Sequence, residues 1–132
     1  MDALLKHDTA AVQADLDFWR ELAGGDNDCA RELLTLYLGE TAAQISAIVS
    51  AVAAGRADEA GRAAHTCAGS SITCGDDALA ELFLQLEQQA RNNRLDEMSG
   101  TVPLIVESFR HVHARLTKAI AESSTEPIQE RT

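Results

Sequence analysis

The sequence predicts an all-α fold, an antiparallel up-down-up-down four-helix bundle with an additional N-terminal helix that caps one end. Of the 132 residues, 45% are hydrophobic but only 4% are aromatic, and two are proline. This composition is typical of helical domains. Apolar residues recur at steps of three and four in five successive segments, which is the period of amphipathic helices. Short connections between the four longer segments favour antiparallel neighbours.

The first two helices are delimited by glycines and capping residues. Gly24 and Gly25 end the first helix, whose apolar face comprises Val12, Leu16, Trp19 and Ala23. The second helix begins near Asp26 or Asn27, because both residue types cap helix N-termini, and it ends at Gly55. Its seam, the row of residues predicted to face the core, consists of Leu34, Leu38, Thr41, Ile45, Ile48 and Val52.

The third helix is predicted from about Asp58 to Cys74, and all residues of its seam are small. That seam consists of Ala60, Ala64, Cys67, Ser71 and Cys74. Small residues allow neighbouring helices to approach closely. His65 lies about 100° around the helix from Ala64, so we expect its side chain at the edge of the core.

Two further helices complete the bundle. Gly75, Asp76 and Asp77 precede the fourth, which ends near Asn92 and Asn93 and has the seam Leu79, Leu82, Phe83, Leu86 and Ala90. The fifth has the seam Val102, Ile105, Phe109, Val112, Leu116 and Ile120. Its start is open, because Ser99-Gly100 and Pro103 are compatible with a loop or with a kink.

The chain is predicted to form one domain over residues 1–122, with the bundle core at about 26–122. Residues 123–132 are polar and are expected to form a flexible, frayed tail.

The net charge and the distribution of apolar residues limit where the protein is expected in the cell and what it is expected to bind. A net charge of -10 argues against binding nucleic acid or an anionic membrane surface. The sequence suggests no apolar run near the roughly 20 residues that span a bilayer, and its first ten residues lack the features of a secretory signal. We therefore expect a cytoplasmic protein, with Cys29, Cys67 and Cys74 as reduced thiols.

His65 is the principal candidate for chemistry because of the residues around it. The positions three and four residues away cover the helix surface beside it, and they are Gly61, Arg62, Ala68 and Gly69. Glycine costs roughly 1 kcal/mol in a helix relative to alanine, so the two glycines indicate either close helix packing or access to the ring. Access to a nucleophilic imidazole is the functional interpretation. His7, His111 and His113 lack such neighbours and are expected at the surface or the edge of the core.

The segment AAHTCAGSSITCGDDALAELFLQLEQQAR resembles the signature of histidine phosphotransfer (HPt) domains. That signature typically has a histidine, then Leu-Lys-Gly-Ser-Ser beginning two positions after it, a glycine four residues later, and a Leu-Glu pair on the next helix. The matching residues are Gly69, Ser70, Ser71, Gly75, Leu86 and Glu87. The chain departs from it at Ala68, where lysine is usual, and at Cys67, where leucine is usual. The looser resemblance in helix order extends over about residues 28–120.

The resemblance implies a phosphoryl carrier rather than a stand-alone enzyme. His65 would accept a phosphoryl group from a receiver-domain aspartate and pass it to another response regulator, and a hybrid sensor kinase is a further expected partner. Glu87 would accept a hydrogen bond from Nδ1 and so orient the imidazole; an ion pair with Arg91, four residues on, is the structural alternative. The receiver domain would supply Mg²⁺, this chain would bind no cofactor or metal, and a monomer is expected.

A phosphate and partner surface is expected around the histidine, formed by Arg62, Ala68, Gly69, Ser70 and Ile72. With lysine absent from position 68, Arg62 is the candidate for a partial substitute, although it is equally compatible with a solvated surface arginine.

Two alternatives remain open from the sequence. One is an adaptor bundle that docks on a receiver or kinase domain without carrying phosphate. The other is a zinc site formed by His65, Cys67 and Cys74, for which the geometry is poor because His65 and Cys67 are about 200° apart around a helix.

Overall fold

The computed structural model describes the backbone of residues 14–124 and the side chains of residues 14–122. Helix α1 covers the described residues 14–22. Four longer helices follow: α2 Asn27–Ala53, α3 Ala57–Thr73, α4 Asp77–Arg91 and α5 Leu95–Ser124. Within the described range there is no strand, and the all-α prediction is confirmed. The predictions about His7, Val12 and residues 125–132 lie outside the described residues. Residues 123 and 124, which were predicted to begin the tail, belong to α5 instead.

Local chemistry accounts for the helix boundaries. Asp26 Oδ1 accepts hydrogen bonds from the backbone amides of Asp28 and Cys29, at 2.9 and 3.2 Å, and so caps α2. Gly55 and Gly75 follow α2 and α3 with φ of +75° and +81°. This left-handed conformation ends a helix and suits glycine, which has no Cβ.

The start of α5 excludes one of the two alternatives that the sequence left open, a loop or a kink near Pro103. Pro103 lies inside a continuous helix that begins at Leu95, so the loop alternative was wrong. A proline within a helix costs about 3 kcal/mol, but Met98, Thr101 and Ile105 are all buried around it. Burial of this face outweighs the intrinsic preference of a single residue.

The described residues fall into two compact units. The first comprises residues 14–36 and 113–124, and its buried hydrophobic residues are Leu16, Trp19, Ala30, Leu34, Leu116 and Ala119. Arg115 Nε donates to Asp15 Oδ2 at 2.7 Å and thereby joins α5 to α1. Burial is the main influence on the Asp15 carboxyl and raises its pKa, although Arg115 opposes the shift.

The second unit, Tyr37–Val112, contains the candidate site. Its largest fully buried side chains are Ile48, Leu79, Phe83, Leu86, Met98 and Ile105. Helix α3 packs against α4, and Ala60, Ala64 and Ser71 of its predicted small seam are fully buried.

A buried polar cluster links α2 to the turn between α3 and α4. The Tyr37 hydroxyl donates to Asp76 Oδ2 at 2.8 Å and lies 3.2 Å from Ser71 Oγ. All three residues are buried. Burial raises the pKa of Tyr37, with Asp76 adding to the shift and Ser71 opposing it.

Helix α2 departs from the expectation that no segment is apolar enough to cross a bilayer. By length and composition alone α2 meets that criterion. The core helices of soluble proteins meet it too, and Leu34, Ile45 and Ile48 of α2 are buried. Helix α2 is therefore only a weak indication of a membrane location.

Candidate functional site

His65 lies on α3 at the edge of the core, with its imidazole directed outward. The side chain is 71% exposed, whereas the preceding residue, Ala64, is completely buried. Nδ1 of the ring lies 2.9 Å from Oε2 of Glu87 on α4. The Glu87 side chain is only 14% exposed, so the carboxylate is held between the helices while the ring faces solvent.

This hydrogen bond determines which nitrogen of the neutral ring carries the proton. In a neutral imidazole one nitrogen carries the proton and the other a lone pair. A carboxylate accepts only, so Nδ1 of His65 must donate to Glu87. Nε2 then carries the lone pair that a nucleophile needs.

Glu87 also bonds to Arg91, one helical turn further along α4. Arg91 Nη2 lies 2.9 Å from the same oxygen, Oε2, that bonds His65. The two sequence-based interpretations of Glu87 therefore hold at the same time. Most of the Arg91 side chain is exposed, and an exposed ion pair contributes little to stability. It adds a second bond to the carboxylate oxygen that meets the ring.

An open depression of about 510 Å³ lies beside the imidazole and is called the His65 depression below. Its lining residues are Asp58, Gly61, Arg62, His65, Thr66, Glu87, Ala90 and Arg91. Two arginines therefore border the ring, one from each helix. The exposed Arg62 guanidinium makes no ion pair with any described residue, and it adds positive charge at the rim.

The two glycines that flank His65 have different roles. Gly69 is exposed, and a Cβ built on it would meet nothing within 4 Å. Gly61 is buried, and a Cβ there would lie 2.7 Å from Cβ of Ala90. Gly61 therefore fits the close-packing alternative. The sequence could not separate the two, because the neighbour lies on another helix.

The remaining residues of the expected phosphate and partner surface differ in their exposure to solvent. Ser70 is exposed and donates to the Thr66 carbonyl at 3.2 Å, and Ile72 is 55% exposed. Ala68 is only 2% exposed, so its methyl group forms no part of an exposed surface, contrary to the expectation. Position 68 lies four residues after Ala64 and three before Ser71, on the buried face of α3.

The zinc alternative lacks a ligand set in the described part of the chain, where no group of three His, Cys, Asp or Glu residues could hold a metal ion. His65 is exposed and Cys67 is buried, so the two side chains do not face one site. Burial raises the pKa values of the Cys67 and Cys74 thiols to about 11. Raised values disfavour the thiolates that bind zinc.

The two other described histidines lie exposed on α5. His111 Nε2 is 3.2 Å from Glu107 Oε2, and His113 Nδ1 is 3.4 Å from Thr117 Oγ1. Both contacts are between neighbouring turns of one helix. These two contacts differ from the bond between His65 and Glu87, which joins two helices.

Comparison with known proteins identifies the family. The Hpt domain family matches residues 32–125. The chain belongs to the Hpt domain family. Its function is accordingly histidine phosphotransfer in a phosphorelay, and the phosphate-independent adaptor is not favoured.

One solved Hpt protein shares the helical-bundle fold. The chain is similar to the crystal structure of histidine-containing phosphotransfer protein B (HptB) from Pseudomonas aeruginosa PAO1, with a TM-score of 0.74 and 21% sequence identity. The match covers 80% of this chain and 92% of the HptB chain. At this identity the likeness concerns the fold alone. No curated protein sequence matches the chain.

Proposed function

We propose that Nε2 of His65 accepts a phosphoryl group from the phosphorylated aspartate of one receiver domain and passes it to the receiver domain of a response regulator. The observation that carries this proposal is the hydrogen bond of 2.9 Å between Nδ1 of an exposed imidazole and the largely buried carboxylate of Glu87. It combines access to Nε2 with control of the tautomer.

In the transfer step, the Nε2 lone pair forms a P–N bond while the P–O bond to the aspartate breaks. The aspartate carboxylate leaves with the electron pair. Nδ1 keeps its proton, and the positive charge that develops on the ring faces Glu87. Return of the phosphoryl group to a second aspartate reverses these changes.

Positive charge near the phosphoryl group comes from arginine in this proposal. Phosphoryl transfer depends mainly on in-line positioning and on stabilising charge. Position 68 holds a buried alanine in place of the lysine that is usual in the family. Arg62, whose guanidinium makes no ion pair with a described residue, is the partial substitute at the rim of the His65 depression.

The partner completes the site. The receiver domain supplies the aspartate and Mg²⁺, and this chain binds no metal or cofactor of its own, so it acts as a carrier and not as a stand-alone enzyme. The exposed surface at Gly69, Ser70 and Ile72 supports docking next to the ring. The expected partners are receiver domains of response regulators or of a hybrid sensor kinase, without nucleic acid or membrane, for a cytoplasmic monomer.

The test is phosphotransfer from receiver domains that carry radiolabelled aspartyl phosphate. The wild type should acquire label that is acid-labile and alkali-stable, as expected for phosphohistidine. His65→Gln should keep the fold and acquire no label. His111→Gln, which alters another exposed histidine, is the matched control and should be labelled like the wild type. Unchanged labelling of His65→Gln would contradict the site assignment, and receiver binding without any label would favour the adaptor.

A further inference from the structure

We propose that Gly61 is a positioning residue for the phosphoacceptor. Because it has no side chain, α3 and α4 approach each other closely enough for His65 to hydrogen-bond to Glu87. This inference rests on the proposed role of His65, but its first test requires no phosphoryl transfer.

Gly61 on α3 faces Ala90 on α4. This contact lies about one helical turn from His65 and from Glu87. Gly61 precedes His65 by four positions on α3, and Ala90 follows Glu87 by three positions on α4. These spacings place each member of the contact on the same helix face as its site residue. Both Gly61 and Ala90 are buried, and both line the His65 depression.

A methyl group at position 61 does not fit the present helix spacing. Its carbon would lie 2.7 Å from Cβ of Ala90, whereas ordinary contacts fall between 3.4 and 4 Å. Both atoms are Cβ atoms, which are fixed to their backbones and cannot rotate away. The conflict is relieved only when the two helices separate locally, by about the 0.7 Å that separates 2.7 from 3.4 Å.

A separation of this size is enough to break the hydrogen bond between His65 and Glu87. The bond between Nδ1 and Oε2 is 2.9 Å long, and a donor and acceptor 3.6 Å apart no longer form one. Glu87 is largely buried, and its Oε2 is shared with Arg91. These restraints limit the rotamers with which Glu87 could follow a displaced ring.

The chain offers a reciprocal variant and a matched control. In the double variant Gly61→Ala/Ala90→Gly, the methyl group is transferred from one side of the contact to the other. Gly100→Ala makes the same substitution inside α5, where a Cβ would meet nothing within 4 Å. It therefore tests for the general effect of replacing a helical glycine. Glu87→Ala defines the state without the hydrogen bond.

The measurement is the tautomer of His65 in the folded, unphosphorylated protein, read from the ¹⁵N chemical shifts of the imidazole at a pH where the ring is neutral. The wild type and Gly100→Ala should have the Nδ1–H tautomer as the major form. Gly61→Ala should lose this preference to the level of Glu87→Ala, and the double variant should regain it. The amide spectrum reports whether each variant is folded.

Phosphotransfer then links the geometry to the function. The rate for Gly61→Ala should fall to that of Glu87→Ala and recover in the double variant. A folded Gly61→Ala protein with the wild-type tautomer would overturn the inference. If Gly61→Ala fails to fold, a folded double variant without the Nδ1–H preference would overturn it too, and one that keeps the preference would support it. Absence of label on the wild type would instead contradict the proposed function and leave the tautomer result intact.

Discussion

At the scale of single residues, two contacts of the site could be predicted from the sequence, whereas the atom that they share could not. The hydrogen bond between His65 and Glu87 was predicted from the resemblance, and the pair of Glu87 with Arg91 from its spacing. What the sequence could not give is that both use the same carboxylate oxygen. Which oxygen is used depends on side-chain rotamers and on the distance between α3 and α4. The spacing of residues within one helix predicts neither the rotamers nor the distance between the helices.

The charge around the ring gives a prediction at this scale. We expect Arg62→Ala to slow phosphotransfer by up to about fivefold, because an exposed charge interaction contributes about 0.2–1 kcal/mol. Arg110→Ala removes an exposed arginine from α5 and should leave the rate unchanged. The measurement is the initial rate of label transfer from a phosphorylated receiver domain. Equal rates for Arg62→Ala and the wild type would show that Arg62 is an ordinary surface arginine.

At the scale of helices, the sequence predicts boundaries well where a local residue determines them. Asp26 caps α2, and Gly55 and Gly75 follow α2 and α3, because each acts through its own backbone or its nearest neighbours. The start of α5 was open because Pro103 has a strong local preference that tertiary burial overrides. Tyr37 was also missed, since the predicted seam of α2 passes from Leu34 to Leu38.

The contact of Tyr37 with Asp76 yields a prediction for the turn between α3 and α4. Tyr37→Phe removes a donor from a buried carboxylate, so we expect the free energy of unfolding to fall by about 1–3 kcal/mol at neutral pH. Urea denaturation measures this change. Asp76 occupies the N-cap position of α4 without making a side-chain capping bond, so loss of a helix cap would not explain the result. An unchanged free energy of unfolding would contradict a stabilising role.

The same contact has a dependence on pH with a defined sign. Burial raises the pKa of Tyr37 above its ordinary value of 10, which means that the folded state favours the protonated phenol. Its contribution to stability is fully present below pH 10 and is lost as the pH rises above that value. Tyr37 is the single tyrosine of the chain, so tyrosinate absorbance reports it directly. That absorbance should appear together with alkaline unfolding and not before it.

At the scale of the whole molecule, the fold class could be predicted because apolar spacing and low aromatic content extend over the entire chain. The limits of the compact units could not be predicted, since they depend on contacts between distant segments. The sequence predicts one domain over residues 1–122, whereas the described residues form two compact units. Helices α2 and α5 contribute residues to both units without a break.

This continuity predicts a single unfolding transition. To unfold one unit alone, α2 would have to break between Leu36 and Tyr37, and α5 between Val112 and His113. Both breaks would interrupt helical hydrogen bonds and expose buried residues. Trp19, the single tryptophan, reports the first unit by fluorescence, and protection of the buried Cys67 thiol reports the second. In urea both probes should give the same midpoint, as expected for two-state unfolding. An earlier transition at Trp19 would show that the first unit unfolds by itself, and that the predicted single domain behaves as two.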